Sequence, residues 1–280
     1  MVNGQWIKLD EIDSTNNFLR SSGCSGASRS LHHLDTPGHR RMTLVTAEFQ
    51  TAGRGADTNR WESARGENLL FSLRVHPTSL PVRRMFAISE AAALAVRDCL
   101  HTFLPSNTPP KGGRGVPKGG RGVSIKWPND IYYGDSKVAG ILIENDLQGA
   151  RVLCSTIGIG INVNQRRFLS DAPNPRSLAD ILGHDVERHL VLEQFMDSFT
   201  HYFEQIETGK EEPLDALHED YKSHLYRRGE THTYSDKDGT FRATLIDVEP
   251  YGHLVLQDTT GKQRRYAFKE VKYCIDKVIT

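Results

Sequence analysis

Two apolar runs with glycines set inside them constrain this fold more than any other feature of the chain. Lys137–Glu144 (KVAGILIE) and Ala150–Ile161 (ARVLCSTIGIGI) both have strand-like composition, and Asp146–Gly149 lies between them as a turn. They predict a β-hairpin. Gly140 falls in the middle of the first run, and Gly158 and Gly160 fall near the end of the second. A glycine inside a strand weakens it, and it commonly marks a place where something approaches the backbone closely. Asn162 gives the second run a polar terminus.

The rest of the chain sorts around this hairpin. Met42–Phe49 and Asn68–Val75 read as further strands, and Ser124–Trp127 as a short one. Pro81–Leu104 reads as a helix, with proline near its start and the small-residue stretch EAAALAV inside. Phe195, Phe199, Tyr202, Phe203 and Ile206 recur at helical spacing within Leu192–Thr208, and Leu214–Leu225 extends that helical region after Pro213. From Gly229 onward short strand signals follow closely: Thr231–Tyr234, Phe241–Val248, Leu254–Gln257, Arg265–Lys269 and Val271–Ile275. The expected class is α+β, with a boundary near residue 226: residues 1–226 form one domain and residues 227–280 a compact barrel-like one. Residues 105–123, PSNTPPKGGRGVPKGGRGV, contain the unit KGGRGV twice, at Lys111 and Lys118. That composition cannot bury enough apolar surface to fix its backbone, and it predicts a disordered insertion.

Composition excludes several function classes. The 280 residues carry 35 Lys plus Arg and 35 Asp plus Glu, a formal net charge of zero, which argues against a general polyanion binder. No apolar run approaches the length of a membrane span, and the polar N-terminus is unlike a signal peptide. Cys24, Cys99, Cys154 and Cys274 are scattered, without CxxC or metal-type spacing, as in a reduced cytoplasmic protein. The 12 histidines form no ligand spacing, so no zinc site is expected.

Three polar clusters carry the chemistry. Asp13-Ser14-Thr15-Asn16 opens a short helical stretch, where such residues cap the helix and can also hold a ligand. Gln50-Thr-Ala-Gly53-Arg54-Gly55 follows a strand and runs on to Trp61, a loop able to wrap an anion with backbone N–H groups and one guanidinium. The chain has neither a complete Walker phosphate loop nor a full GxGxxG motif. The strongest cluster is Lys126-Trp127-Pro128-Asn129-Asp130, followed by Lys137-Val-Ala-Gly140-Ile-Leu142. There Asp130 sits in a turn entered through a proline, and Lys137 leads into an apolar strand. Solvent-facing, structural readings exist for each cluster taken alone.

In this order the clusters resemble the biotin protein ligase family. The matching pieces are Ser14-Thr-Asn16, Gln50-x-Ala-Gly53-Arg-Gly55, Lys126-Trp-Pro-Asn-Asp130, Lys137-x-Ala-Gly-Ile-Leu142 and Gly158-Ile-Gly-Ile-Asn162, and the resemblance covers almost the whole chain. It implies a mixed β-sheet with packed helices, the catalytic fold shared with lipoate ligases, followed by a small SH3-like β-barrel. It also implies a two-step reaction: ATP activates biotin to biotinyl-5′-AMP, and the biotinyl group passes to a lysine of a biotin carboxyl carrier protein of acetyl-CoA carboxylase or a related carboxylase. Trp6 leads directly into the Ser14 motif, so a monofunctional ligase without a DNA-binding domain is expected. Among such ligases both monomers and homodimers occur.

By resemblance, Ser14, Thr15, Asn16, Gln50, Gly53, Arg54, Gly55, Ala56, Lys137 and Gly140 line the biotin end. Arg54, Trp61, Lys126, Asn129, Lys137 and Asn162 lie at the nucleotide. Arg54 and Lys137 are assigned the cationic work of the first step. Asp130 is assigned either the proton of the acceptor lysine or a part in holding Mg²⁺, and both roles stay open at this point. One departure stands out: many relatives continue the loop as GRGRxGRxW, whereas here Ala56 replaces an arginine and Thr58 a glycine. Arg60 is expected to compensate. The rival readings are a lipoate ligase and, from another class, an RNA-binding module built on the GGRG repeats.

Overall fold

The computed structural model describes residues 4–21, 42–56, 59–104, 122–169 and 174–275. The KGGRGV repeats, except for Gly122 and Val123, together with Cys24, Asp57 and Thr58, lie outside the described residues.

A seven-stranded mixed sheet forms the larger part. Its strands are β1 (Gly4–Ile12), β2 (Met42–Gln50), β3 (Leu69–Val75), β4 (Val123–Lys126), β5 (Asp130–Tyr133), β6 (Ser136–Gln148) and β7 (Arg151–Ile161), in the spatial order β1-β2-β3-β7-β6-β5-β4. β1 and β2 run parallel and the other neighbours antiparallel. The expected hairpin is β6–β7, longer than its sequence signal: β6 continues through Asp146 to Gln148, and Gly149 turns the chain at φ 59°. β1 and β5 were not predicted. β1 alternates charged and apolar residues at the sheet edge, and β5 is only four residues long.

All of β3 is buried, because both of its faces are covered. On one face lie α2 (Ala87–Phe103), α4 (Arg188–Glu207) and α5 (Glu211–Ser223). The expected Pro81–Leu104 helix divides into a short 3₁₀ turn, Val82–Arg84, and α2 proper. Ala91, Ala92, Ala93 and Ala95 of α2 are fully buried and present no bulk, so neighbouring helices pack close to it. Phe195, Phe199 and Phe203 stack along α4 with ring centroids 5.6 Å apart, and Phe195 meets Phe71 of β3 edge-on at 4.9 Å. A short α3 (Leu178–Leu182) starts at Ser177, whose hydroxyl accepts from the Asp180 amide. The opposite face of the sheet carries α1 (Thr15–Ser21), packed over β3 and β7.

The C-terminal residues form a second, five-stranded antiparallel sheet of order β11-β10-β9-β8-β12, consistent with an SH3-like tail. Its strands are β8 (Thr231–Asp236), β9 (Gly239–Val248), β10 (Leu254–Asp258), β11 (Gln263–Tyr266) and β12 (Lys272–Tyr273). This sheet is fastened to the Lys126–Asp130 turn. Trp127 Nε1 donates to the Gly252 carbonyl at 2.9 Å, and the rings of Trp127 and Phe268 meet edge to face. From the helical side, Tyr221 donates its hydroxyl proton to the Pro128 carbonyl at 3.0 Å. The turn is therefore gripped from both sides. Cys99 and Cys274 are free, whereas Cys154 is disulfide-bonded, which corrects the expectation of a wholly reduced chain. No helix among the described residues is long and apolar enough to cross a membrane.

Candidate active site

The strand register explains the interior glycines. Gly140 pairs directly with Gly160 across β6–β7, and Gly158 pairs with Leu142 on one side and Ser72 on the other. Residues two apart in a strand share a face, so Gly140, Gly158 and Gly160 make one floor without side chains on the α1 face of the sheet. Two side chains lie on that floor. A Cβ placed on Gly158 would stand 2.2 Å from Asn16 Oδ1, and one placed on Gly160 would stand 2.3 Å from Trp61 Cε2. The floor belongs to a cleft of about 580 Å³.

One end of the cleft is neutral and polar. Ser14, Thr15 and Asn16 are all buried at the start of α1. Gln50 Oε1 accepts from the Thr15 amide (2.8 Å) and from the Thr15 hydroxyl (3.1 Å). The buried Ser72 hydroxyl contacts Thr15 Oγ1 at 2.7 Å and Asn16 Oδ1 at 2.6 Å. These side chains are held by one another in fixed directions, which is how buried polar groups avoid the cost of being left unpaired. Ser72 was not among the residues expected here. In the sequence it is a lone polar residue inside the strand NLLFSLRV.

The other end is ionic. Lys137 Nζ lies 2.6 Å from Asp130 Oδ1, and Lys126 Nζ lies 3.5 Å from Asp130 Oδ2. Burial would raise the Asp130 carboxyl, but the two ammonium groups outweigh it and hold the carboxyl below the usual aspartate range. Burial lowers the Lys126 ammonium, with Asp130 opposing. Lys137 also faces the Trp61 ring, 5.7 Å from its centroid. Asn129 staples the turn to β6: its carbonyl accepts from the Ile141 amide at 3.0 Å, and its side chain donates back to the Ile141 carbonyl. The surroundings of Asp130 do not fit a protein-held Mg²⁺. Both carboxylate oxygens already face ammonium groups, and among the described residues no cluster of three His, Cys, Asp or Glu side chains could hold a metal ion.

The Gly53–Trp61 loop crosses between the two ends. Trp61 N donates to the Gly53 carbonyl (3.0 Å) and Gly55 N to the Asn59 carbonyl (2.8 Å), so the loop doubles back on itself. Gly53 is required by contact, since a Cβ there would stand 2.6 Å from the Trp61 carbonyl oxygen. Arg54, expected to aim at phosphate, instead forms a forked ion pair with Glu144 of β6 (3.0 and 3.1 Å) and donates to Asn17 Oδ1 (2.9 Å).

The cleft is lined by Ser14, Thr15, Asn16, Gln50, Arg54, Gly55, Ala56, Arg60, Trp61, Lys126, Asn129, Asp130, Lys137 and Gly140, all singled out in the sequence. Gly53 and Asn162 are not in its lining. Asn162 is buried behind it, where its side chain donates to the Arg176 carbonyl at 3.3 Å and its backbone N donates to Val138 O at 2.9 Å. Phe268, Lys269, Val271, Lys272 and Tyr273 of the C-terminal sheet complete the wall, and no sequence motif pointed to them.

Residues 27–162 match the model of the biotin/lipoate A/B protein ligase family. The matched stretch is a domain of this family. It is 28% identical over 248 residues to the bifunctional ligase/repressor BirA of Bacillus subtilis, spanning 87% of this chain and 70% of that one. It is 27% identical over 231 residues to a biotin–[acetyl-CoA-carboxylase] ligase of Paracoccus denitrificans, spanning 81% of this chain and 89% of that one. The structure of a biotin protein ligase from Aquifex aeolicus in complex with biotin and ATP superposes with a TM-score of 0.69 at 23% identity, covering 96% of this chain and 99% of the other. That likeness establishes the family's fold across both sheets.

Proposed function

We propose that the cleft activates biotin with ATP to biotinyl-5′-AMP and that the biotinyl group then passes to a lysine of a carrier protein. The observation that carries this reading is the polarity of the cleft: a neutral hydrogen-bonding end, a glycine floor and a cationic end in line. The named activities of the relatives, biotin–[acetyl-CoA-carboxylase] ligases among them, point the same way and indicate a carboxyl carrier as acceptor.

Biotin has a neutral ureido ring, an apolar chain and a carboxylate, and the two ends of the cleft match that order. Ser14, Thr15, Asn16 and Gln50 hydrogen-bond the ureido ring, and the glycine floor leaves room for the chain. The carboxylate reaches Lys137, where its oxygen attacks the α-phosphorus of ATP and pyrophosphate departs. Two anions meet in that step, so the local charge must be positive. Lys137 and Lys126 together carry two positive charges against the one negative charge of Asp130, and the surplus faces the cleft. Asp130 is then a positioning group for the two lysines. A carboxyl held below its usual range is a poor proton acceptor, which weighs against its acting as the base. In the second step the acceptor ε-amine attacks the mixed anhydride and AMP leaves, with the Gly53–Trp61 loop keeping water away.

The direct test is ATP–pyrophosphate exchange with purified protein, run in parallel with biotin, lipoate and octanoate. Biotin is expected to support exchange and the two acyl chains are not. Exchange with lipoate alone would keep the family and replace the substrate.

The loop departure gives a second expectation. Ala56 supplies no charge, while Arg60 is exposed at the rim of the cleft. Arg60→Ala should release biotinyl-5′-AMP roughly tenfold faster, about 1.4 kcal/mol of lost retention, with chase by unlabelled biotin as the readout. Unchanged release would leave Arg60 without a part in the clamp.

A further inference from the structure

Glu144 has no role in the chemistry described above, yet its carboxylate joins Asn16, Arg20 and Arg54 beside the cleft. It lies 128 residues from Asn16 in sequence and accepts from Asn16 Nδ2 at 3.1 Å. The same carboxylate takes the fork of Arg54 at 3.0 and 3.1 Å and an ion pair from Arg20 at 2.5 Å. Its side chain is largely covered, at 17% exposure, whereas Arg20 and Arg54 are 45% and 35% exposed. Burial would raise its carboxyl, but hydrogen bonds from Arg54 and Asn16 outweigh burial and keep it charged at neutral pH. The two partners belong to different machinery. Asn16 lies over Gly158 at the neutral end of the cleft, and Arg54 belongs to the loop that carries Trp61 onto Gly160.

The geometry points to Glu144 as a positioning residue that latches the Gly53–Trp61 loop to the biotin end, so that the intermediate is retained only while Asn16, Glu144 and Arg54 stay joined. This rests on the ligase reading above. The reason is the fork: a guanidinium held by both oxygens of one carboxylate is fixed in direction as well as position. One oxygen also holds Asn16, so a displacement of either partner is transmitted to the other through a rigid, largely buried side chain. The effect falls on retention and not on bond making, because the Lys137–Asp130–Lys126 group lies at the other end and shares no hydrogen bond with Glu144.

Three variants test the latch: Glu144→Gln, Arg54→Gln and the double substitution. Wild-type protein must first show biotin-dependent pyrophosphate exchange; without it the ligase reading fails and the latch is not at issue. Given exchange, Glu144→Gln is expected to shorten the lifetime of bound biotinyl-5′-AMP about tenfold and to raise the biotin KM by a similar factor. The kcat for exchange should stay within about threefold. Arg54→Gln should shorten the lifetime by a similar factor, and the double variant should lose no more lifetime than either single one, since both remove the same interaction. Arg54 lies on a loop outside the sheet, half-buried, so its variant reads the latch even if Glu144→Gln folds poorly. Arg20→Ala, which removes only an exposed ion pair, should change the lifetime less than twofold. A wild-type lifetime in both single variants, or losses that multiply in the double one, would overturn the proposal. An equal fall in kcat without a change in KM would also overturn it, because that is the signature of a smaller folded fraction.

Discussion

Lys137→Ala should lower biotin-dependent pyrophosphate exchange by about 10³-fold while leaving the protein folded, as read by thermal unfolding. The size follows from where the charge sits. Removing one fixed donor from a preorganised site costs roughly 10²–10³ in rate, and here the same ammonium also supplies the surplus positive charge. Without it, Asp130 and Lys126 cancel, and two anionic substrates meet without the ammonium that offsets them there. The fold should survive because the Lys137 backbone, not its side chain, ties the strand to its neighbours. Lys137 N donates to the Asn174 carbonyl, and its own carbonyl accepts from Arg176 N, both at 2.9 Å. Lys137→Arg should recover little. A planar guanidinium cannot take up the same position between Asp130 and the Trp61 ring that a compact ammonium occupies. Near-normal exchange in Lys137→Ala would remove the lysine from the chemistry and with it the proposed direction of biotin in the cleft.

The parts of this site that were legible in sequence are those written in short runs. Lys126–Asp130 and the strand after it are close in sequence and paired in space, with Asp130 opposite Gly140 in the register, so a local motif captured a local structure. Gly158 and Gly160 were legible as a pair because strand periodicity puts them on one face whatever the fold. Their partner Gly140 could be placed opposite them only once the hairpin register was known, since one residue of slip would have turned it to the helical side. Ser72 and Glu144 were not legible. Ser72 is a lone polar residue in the middle of an apolar strand and Glu144 opens the polar half of β6, and their partners lie 56 and 128 residues away. Asn162 stands apart for the opposite reason. It ends a motif whose glycines face the cleft, but its side chain is used behind the sheet to hold the Arg176 backbone. β1 escaped notice because alternating charged and apolar residues at a sheet edge carry little of the β-branched signal that marks a central strand.

The second large effect is expected from a single methyl group. Gly158→Ala should weaken biotin binding about 100-fold in calorimetry, with a far smaller change in thermal stability. The backbone at Gly158 is ordinary β, so alanine is not strained by conformation; the obstacle is what stands above it. The new Cβ would lie 2.2 Å from Asn16 Oδ1 and 2.7 Å from its Cγ. Asn16 cannot step aside cheaply, because Ser72 contacts its oxygen at 2.6 Å and Glu144 accepts from its nitrogen at 3.1 Å. Relief therefore requires the start of α1 to lift, which carries Thr15 away from Gln50 and undoes the arrangement of the neutral end. Gly160→Ala provides the contrast. Its Cβ would meet Trp61 at 2.3 Å, an equally severe overlap, but Trp61 lies in the Gly53–Trp61 loop, outside the hydrogen-bonded cluster at the start of α1. Biotin binding should fall only a few-fold there, while retention of the adenylate falls more. If both alanines weakened biotin equally, the floor would be a single undivided surface and the polar end at α1 would not be where the ureido ring binds.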